Sequence, residues 1–583
     1  MPRYPKRRRP ATPRVDDLFY GNPDPESEQQ PADVDASPES SEADRGVDVD
    51  DPAQSGAGDA AVDQSPEEGA GGAAKSRSRR RIGVLGRVTR AGALAVSAAA
   101  LVYAVGAGHV GTLDLAAALD RDDPVTEHPG QPVGLALVTE TSLGCVGPEQ
   151  VGLDDPSVPE PDQTVSVAVA SAPHEALPEG LDPAGAGEAQ VSVTPGGDTE
   201  RLVARGGLAG AQVSGDAWAR GSAEGALAAG FAGSQMGLGT QEQARGLTTA
   251  ACQVAQEESW LVGGGGQPGR IERLILANPT GNPVTVQVDV LGADGPVDTA
   301  GGRGIVVPSG ERQVILLDAL APGEERPVLH VRTTGGPILA AVGDRWLEGT
   351  LDRGVELTTP AAPPASSLVI PAVPVGAGEA DSAVVRVAVP GDEDAVVQLR
   401  ALTPDGPVRI SNAVTTVQAG AVADVDVSDL PPGTHAIEIG ADTPVVASAH
   451  VERRATLDGV SDLAWVPAGP LTSALVGAPL AHAGTDPLER ELSIASAEGA
   501  QVQILTVVGG TTDVRRLDVP AAGSATVSLD PAAESVWVRA LGGTATSAVV
   551  STLEDDAGTL IAGMVLPEAP VTRQVRSVAP WLP

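Results

Sequence analysis

The sequence predicts a disordered tail, one transmembrane helix, and an all-β ectodomain of tandem Ig-like β-sandwich repeats. Three observations lead there. An uncharged run at 91–113 has basic residues before it and acidic residues after it. The chain beyond reads as short alternating strands punctuated by Gly, Pro and Asp. A block of those strands then recurs in the same order about 110 residues further on.

The tail comes first. Residues 1–15 are basic, and residues 16–72 carry 17 carboxylates against the single Arg45. Pro, Ser, Gly and Gln fill much of the rest, so 1–74 supplies no packed core and is expected to be a disordered cytoplasmic tail. Its one apolar strip, Asp17-Leu18-Phe19-Tyr20, reads as a chance cluster, with a docking peptide as the alternative. A basic juxtamembrane segment at 75–90 holds Lys75, Arg77, Arg79, Arg80, Arg81, Arg87 and Arg90.

The run 91–113 contains 23 residues without a formal charge. At about 1.5 Å per residue it spans about 35 Å, enough for a hydrocarbon core of roughly 30 Å. Asp114, Asp120, Asp122 and Asp123 close it, and the charge asymmetry places the N-terminus in the cytoplasm. Gly106, Gly108 and Gly111 make the run only moderately apolar. A cleaved signal is the rival, but the preceding region exceeds 80 residues, whereas signal n-regions are short. A linker follows at 114–133.

The chain has 583 residues, 38 basic and 77 acidic side chains, and a net charge of −39. Residues 1–113 account for −3 of this and the remainder for −36. A field of that sign repels nucleic acid, so no nucleic-acid partner is expected. The length suggests three or four domains. Phe231 and the six tryptophans are the aromatics beyond residue 113, leaving Val, Leu, Ile and Ala to do most of the burying.

The block RLILANPTGNPVTVQVDVLGADGPV at 273–297 has a counterpart, VVRVAVPGDEDAVVQLRALTPDGPV, at 384–408. A third copy without the DGPV turn, ELSIASAEGAQVQILTVVGG, lies at 491–510. An element at each seam accompanies them: SWLVGGG around Trp260, SLVIPAV around Val369, LAWVPAG around Trp465 and APWLP around Trp581. Residues 134–258 read as a divergent first β unit, followed by units at 259–365, 366–460 and 461–583, the last ending in a seam strand. Six or seven strands per copy suit a sandwich better than a four-stranded propeller blade. Whether Trp581 closes the fourth unit or the strand phase is shifted by one stays open.

Cys145 and Cys252 are the two cysteines, both on the outer side of the membrane run. An even count in an exported region favours a disulfide between them. Closing a loop of about 107 residues contributes on the order of 4 to 5 kcal/mol in the chain-entropy estimate. Its removal is expected to destabilise the first unit and spare the others, because repeat units couple mainly to their neighbours.

No catalytic constellation emerges. Beyond Lys75 there is no lysine, which excludes Ser-Lys acyl transfer outside the cell, and HExxH, Walker and GxSxG motifs are absent. The Gly263–Gly266 run lacks the strand-to-helix context of a dinucleotide site and reads as a seam turn. His109, His128, His174, His330, His435, His450 and His482 show no metal-ligand spacing. Asp392-Glu393-Asp394 and Glu554-Asp555-Asp556 read as solvated turns, with calcium as the alternative. No catalytic residue, cofactor or metal is therefore assigned. Trp260, Trp465 and Trp581 share a seam position and read as core anchors, whereas Trp218, Trp346 and Trp537 are better candidates for exposed contacts.

The segment 251–297 also carries a pattern: a Cys shortly before Trp-x-Val-Gly-Gly, then Leu-x-x-x-Asn-Pro and Gly-x-Asp-Gly. Cys252, Trp260, Val262, Gly263, Gly264, Leu274, Asn278, Pro279, Gly292, Asp294 and Gly295 match it. On these residues the chain resembles a family of actinobacterial membrane-anchored envelope proteins known only as a domain of unknown function. Typical members have an aromatic where this chain has Leu261. The resemblance implies an envelope location and, because relatives tend to be encoded near envelope glycosyltransferases, a link to that pathway; it brings no assigned activity. The expected role is a non-catalytic, single-pass envelope scaffold or binding protein with an envelope protein or glycan partner. A cell-surface carbohydrate-active enzyme and a transmembrane regulator of an envelope enzyme are the alternatives.

Overall fold

Alternation makes the strands. In Val284–Gly292 every second residue, from Val284 to Val290, is buried, and Thr285, Gln287 and Asp289 between them are not. The computed structural model describes residues 133–576, apart from 159, 182, 184, 242, 455 and 483–487. The tail (1–74), the basic segment (75–90), the membrane run (91–113), the linker up to 132, and Trp581 lie outside the described residues. Among the described residues no helix is long and apolar enough to cross a membrane. They are all-β, interrupted by short 3-10 turns.

A first strand, β1 (Val133–Leu137), precedes the repeats. The first unit holds β2 (Glu140–Cys145), β3 (Thr164–Ser171), β4 (Gly187–Thr194), β5 (Thr199–Leu202), β6 (Leu208–Ser214), β7 (Trp218–Gly225), β8 (Phe231–Gly239) and β9 (Gly246–Ala251). The second holds β10 (Glu258–Val262), β11 (Arg270–Ala277), β12 (Val284–Gly292), β13 (Gly295–Val297), β14 (Ile305–Val307), β15 (Arg312–Leu316), β16 (Val328–Thr334), β17 (Leu339–Glu348) and β18 (Leu351–Thr358). The third holds β19 (Ala365–Val375), β20 (Ser382–Ala388), β21 (Ala395–Thr403), β22 (Gly406–Val417), β23 (Val422–Asp426), β24 (Gly433–Arg454) and β25 (Ser461–Pro467). The fourth holds β26 (Leu475–Pro479), β27 (Glu489–Ser496), β28 (Ala500–Val508), β29 (Thr511–Val519), β30 (Gly523–Ser528), β31 (Ala533–Gly543), β32 (Thr546–Asp555) and β33 (Gly558–Val565). β34 (Thr572–Arg576) ends the described chain.

One strand order serves all four units. The first unit forms sheets β2-β7-β4-β5 and β6-β3-β8-β9, and the fourth forms β26-β31-β28-β29 and β30-β27-β32-β33. The second follows with β10-β16-β12-β13 and β15-β11-β17-β18, β14 adding to β12. In the third the 22-residue β24 runs through both sheets, pairing β19 and β21 with its first half and β20 and β25 with its second. Each pair of sheets shares an apolar core, such as Leu274, Leu276, Val286, Val288, Leu329 and Val342 in the second unit. The count is thus eight strands in the first and fourth units, nine in the second and seven in the third, where β24 serves both sheets, against the six or seven expected.

The seam element does not mark one position. Trp260 lies in β10, the first strand of the second unit, but Trp465 lies in β25, the last strand of the third. β25 pairs along its whole length with β24, so residues 461–467, expected to open the fourth unit, pair within the third. Both segments place an aromatic before Val and Gly or Pro, and that local likeness cannot tell a first strand from an eighth.

The units close on one another. The last strands meet in sequence: β9 lies against β18, β18 against β25, β25 against β33, and β33 against β9. Apolar seams lie at each junction: Trp218 with Ile275 and Leu339 (first and second units), Trp260 with Ala388 and Val446 (second and third), Val369 with Ala495 (third and fourth), and Leu247 with Leu553 and Leu560 (fourth and first). Glycines permit this approach. A Cβ at Gly354 would sit 2.6 Å from Asp462 Oδ1, and its φ of +124° already favours glycine. Finally β1 pairs antiparallel with β34, joining the two ends of the described chain.

Cys145 and Cys252 form a disulfide, with Cα atoms 4.4 Å apart in the first unit's core. It ties the last residue of β2 to the residue just past β9. Because the first unit touches both the second and the fourth, its loss reaches further than a linear array would allow. Cys145→Ser with Cys252→Ser is expected to cost roughly 2 to 4 kcal/mol and to lower one common unfolding transition, read by calorimetry. A melt confined to the first unit would contradict closure.

Candidate functional site

Each last strand contributes to a polar centre, and Asp462 of β25 is its hub. The residue is fully buried. Its carboxylate accepts the backbone N–H of Leu247 in β9 (3.1 Å), Val355 in β18 (3.3 Å) and Ile561 in β33 (2.9 Å). One side chain therefore bonds all three other units. Burial pushes its carboxyl up to about 7, against these N–H bonds, which favour the charged form. Arg245, just ahead of β9, adds a second link: it donates to Asp555 (2.8 Å), to the Gly558 carbonyl (2.9 Å) and to the Ser461 carbonyl (3.3 Å).

A second buried polar group fills the junction of the second and third units, beneath the Gly263–Gly266 run. Arg386 of β20 pairs with Asp424 of β23 (2.9 Å) and donates to the Gly264 carbonyl (2.7 Å). Its guanidinium lies 4.9 Å from the ring centre of Trp465. The Trp465 indole N–H donates to Asp344 (3.1 Å), which also receives Arg270, and the Trp465 backbone N–H donates to Glu356 (3.2 Å). Glu272 accepts the Gly265 N–H, and burial followed by the nearby Asp344 charge raises it to about 7. Glu356 is likewise raised well above the usual carboxylate range by burial. His450, beside Trp465, is pushed down to about 3, first by burial and then by the Arg270 charge.

These shifts set a pH dependence. Asp462 and Glu272 hold protons in the folded state that the unfolded chain releases above about pH 4, so their stabilisation is complete below that and is lost as pH rises to about 7. His450 acts oppositely between about 3 and 6.5, where the unfolded chain takes up the proton. Each group contributes about 1.4 kcal/mol per pH unit within its window, and the two carboxyls, joined by Glu356 and Glu149, which burial also raises, outweigh the imidazoles of His450 and His482, which burial lowers. Urea midpoints should therefore fall as pH rises from 5 to 7; a rising midpoint would contradict the assignment.

A cleft of about 900 Å³ opens between the third and fourth units, with Asp381, Arg453, Glu489, Glu491 and Glu554 among its walls. A second, of about 670 Å³, lies between the fourth and first, beside His482. A third, of about 340 Å³, runs under Gly265 and Gly266 past Arg270 and Glu272. Among the described residues no group of three or more His, Cys, Asp or Glu side chains is arranged to hold a metal.

A family model described as "Family of unknown function (DUF5719)" matches residues 208–532, more than half of the chain. The chain belongs to this family. No curated protein and no solved structure matches it. The DUF5719 match runs from β6 through β30 and so spans three of the four junctions; it includes Cys252, the Trp260–Gly264 segment, Asp462 and Trp465, but not Cys145.

Within this DUF5719 frame the singled-out residues scatter. His330 of β16 stacks on Trp260, ring centres 4.0 Å apart, and bonds Glu258. His435 bonds the Pro431 carbonyl on the surface. Asp394 caps a turn through the Ala419 N–H. Asp555 is drawn to Arg245, so the Glu554–Asp556 turn also joins two units. Trp218 and Trp537 are fully buried, contrary to the exposed contacts expected of them, while Trp346 is half-buried under Arg270. Four of the ionisable residues that link the units, Asp344, Glu356, Arg386 and Asp462, carry no motif in the sequence. Their common signal is an ionisable group inside an apolar strand: Asp344 in AAVGDRW, Glu356 in GVELTT, Arg386 in VVRVAV and Asp462 in SDLAWVP.

Proposed function

We propose that this protein is a non-catalytic scaffold or binding protein of the cell envelope, held by one N-terminal membrane helix with its β units outside the cell and associated with envelope glycan assembly. The observation that carries the reading is the use made of the buried ionisable groups. In an enzyme, strongly shifted carboxyls mark groups available to substrate. Here Asp462, Glu356 and Asp344 spend their acceptor positions on backbone and indole N–H groups of neighbouring units. A rigid closed body presenting several clefts suits presentation and binding better than turnover. Each two-sheet unit, with antiparallel four-stranded sheets around one core, we read as an Ig-like sandwich.

Cross-linking in living cells, followed by purification of the full-length protein, tests the proposal. Capture of a discrete envelope protein is the expected outcome. Recovery of the protein alone, together with chemical turnover of an envelope glycan by the purified chain, would replace it with the enzyme reading.

A further inference from the structure

We infer that the cleft between the third and fourth units binds a neutral polyhydroxylated ligand, a segment of oligosaccharide; this deepens, and rests on, the reading of the protein as a binding protein. The floor of the cleft is one face of the β30-β27-β32-β33 sheet. Residues opposed across a ladder project to the same side. Glu491 opposes Ser528 on one flank and Val550 on the other, Glu489 opposes Thr552, and Glu554 opposes Thr559. Three carboxylates and three hydroxyls thus share one surface, about 5 Å apart across the strands and about 7 Å along them.

The facing wall belongs to the third unit. Gly376-Ala377-Gly378 bring backbone close with almost no side chain, and Arg453 stands beside them. Its Nη1 is 3.5 Å from Asp381 and is buried without a hydrogen-bond partner among the described residues. Ion pairing in this region joins Arg453 to Asp381 and Arg454 to Glu452, leaving the three floor carboxylates without a paired cation among the described residues.

The ligand class follows from this inventory. A vicinal diol donates one hydroxyl hydrogen to a carboxylate while its neighbouring oxygen accepts from a guanidinium or a hydroxyl, and floor and wall supply both halves. Asp381 is paired with Arg453, and Arg490 turns to the opposite face of β27, so Glu489, Glu491 and Glu554 leave the floor net negative, which disfavours an anionic ligand. A polyanion would also meet the −36 field of the chain beyond residue 113. The cleft's size, about 900 Å³, lies within the range of small-molecule sites.

The test measures binding to the full-length protein of neutral mannose, arabinose and glucose pentasaccharides, with oligogalacturonate and oligolysine as charged controls. At least one neutral pentasaccharide should bind saturably. Glu489→Gln with Glu491→Gln should weaken it at least tenfold without moving the melting temperature, and Ala377→Trp, which narrows the cleft, should do the same. No neutral pentasaccharide binding, unchanged affinity in these variants, or stronger binding of oligolysine would each overturn the inference. The same variants in the cellular cross-linking experiment separate the two readings. Partner capture that persists while glycan binding is absent removes the cleft assignment alone, and capture absent in the unaltered protein removes the broader reading.

Discussion

Replacing the buried Asp462 by alanine is expected to produce the largest loss of any single polar-to-alanine change, because it strands backbone donors in three other units at once. Leu247, Val355 and Ile561 would each keep a buried N–H with nothing to accept it. An orphaned buried donor costs about 1 to 3 kcal/mol, offset in part by removal of a charge that burial disfavours. A net loss of roughly 3 to 6 kcal/mol follows. Asp462→Asn keeps one acceptor oxygen and should lose about half as much, which keeps the comparison measurable if the alanine variant does not fold. Denaturant unfolding reads both. An alanine variant within about 1 kcal/mol of the parent would mean that the hub does not join the units.

Trp465→Ala should follow, at roughly 3 to 5 kcal/mol, as large-to-small changes in tight cores do. The indole is 2% exposed, sits against Arg386 and His450, and donates to Asp344. Truncation leaves a cavity at the junction of the second and third units and takes one donor from a buried carboxylate. Trp465→Phe, which keeps most of the ring, should lose about 1.5 to 3 kcal/mol, the worth of the N–H bond to a charged acceptor. Trp346 provides the contrast: half-buried, with its N–H on the Pro268 carbonyl, it should tolerate alanine within about 1 kcal/mol. Unaltered melting for Trp465→Ala, coupled with lost glycan affinity, would instead make this tryptophan a ligand platform.

The parts of this fold that were legible in the sequence are local. TVQVDV alternates because one side of β12 faces a core, and the repeated DGPV turn marks the hairpin after the third strand of two units. The disulfide was legible because an even pair of cysteines, outside any metal-ligand or thiol-catalytic motif, has few other uses. The first unit, which reads as divergent, has the same strand order as the rest, since strand order follows the pattern of buried positions and not their identities. Closure was not legible. Asp462 bonds to residues 215, 107 and 99 positions away, and a period of about 110 residues looks the same in an open array and a closed one. The candidate cleft was hidden for the same reason: Glu489, Glu491 and Glu554 are unremarkable singly, and only the β27–β32–β33 ladders and the third unit's wall bring them together.

Closure itself is tested most directly at the two ends of the described chain. Leu135 of β1 and Gln574 of β34 are exposed cross-strand partners, and opposed residues in antiparallel strands have Cα atoms about 4.5 to 5.5 Å apart, within reach of a disulfide. Full-length protein carrying Leu135→Cys and Gln574→Cys, oxidised gently and digested, should yield a cross-linked peptide pair in addition to the Cys145–Cys252 peptide. The four units closed on one another predict near-complete linkage within single molecules. Two free thiols at these positions, or linkage found solely between molecules, would show an open chain of units and contradict the account.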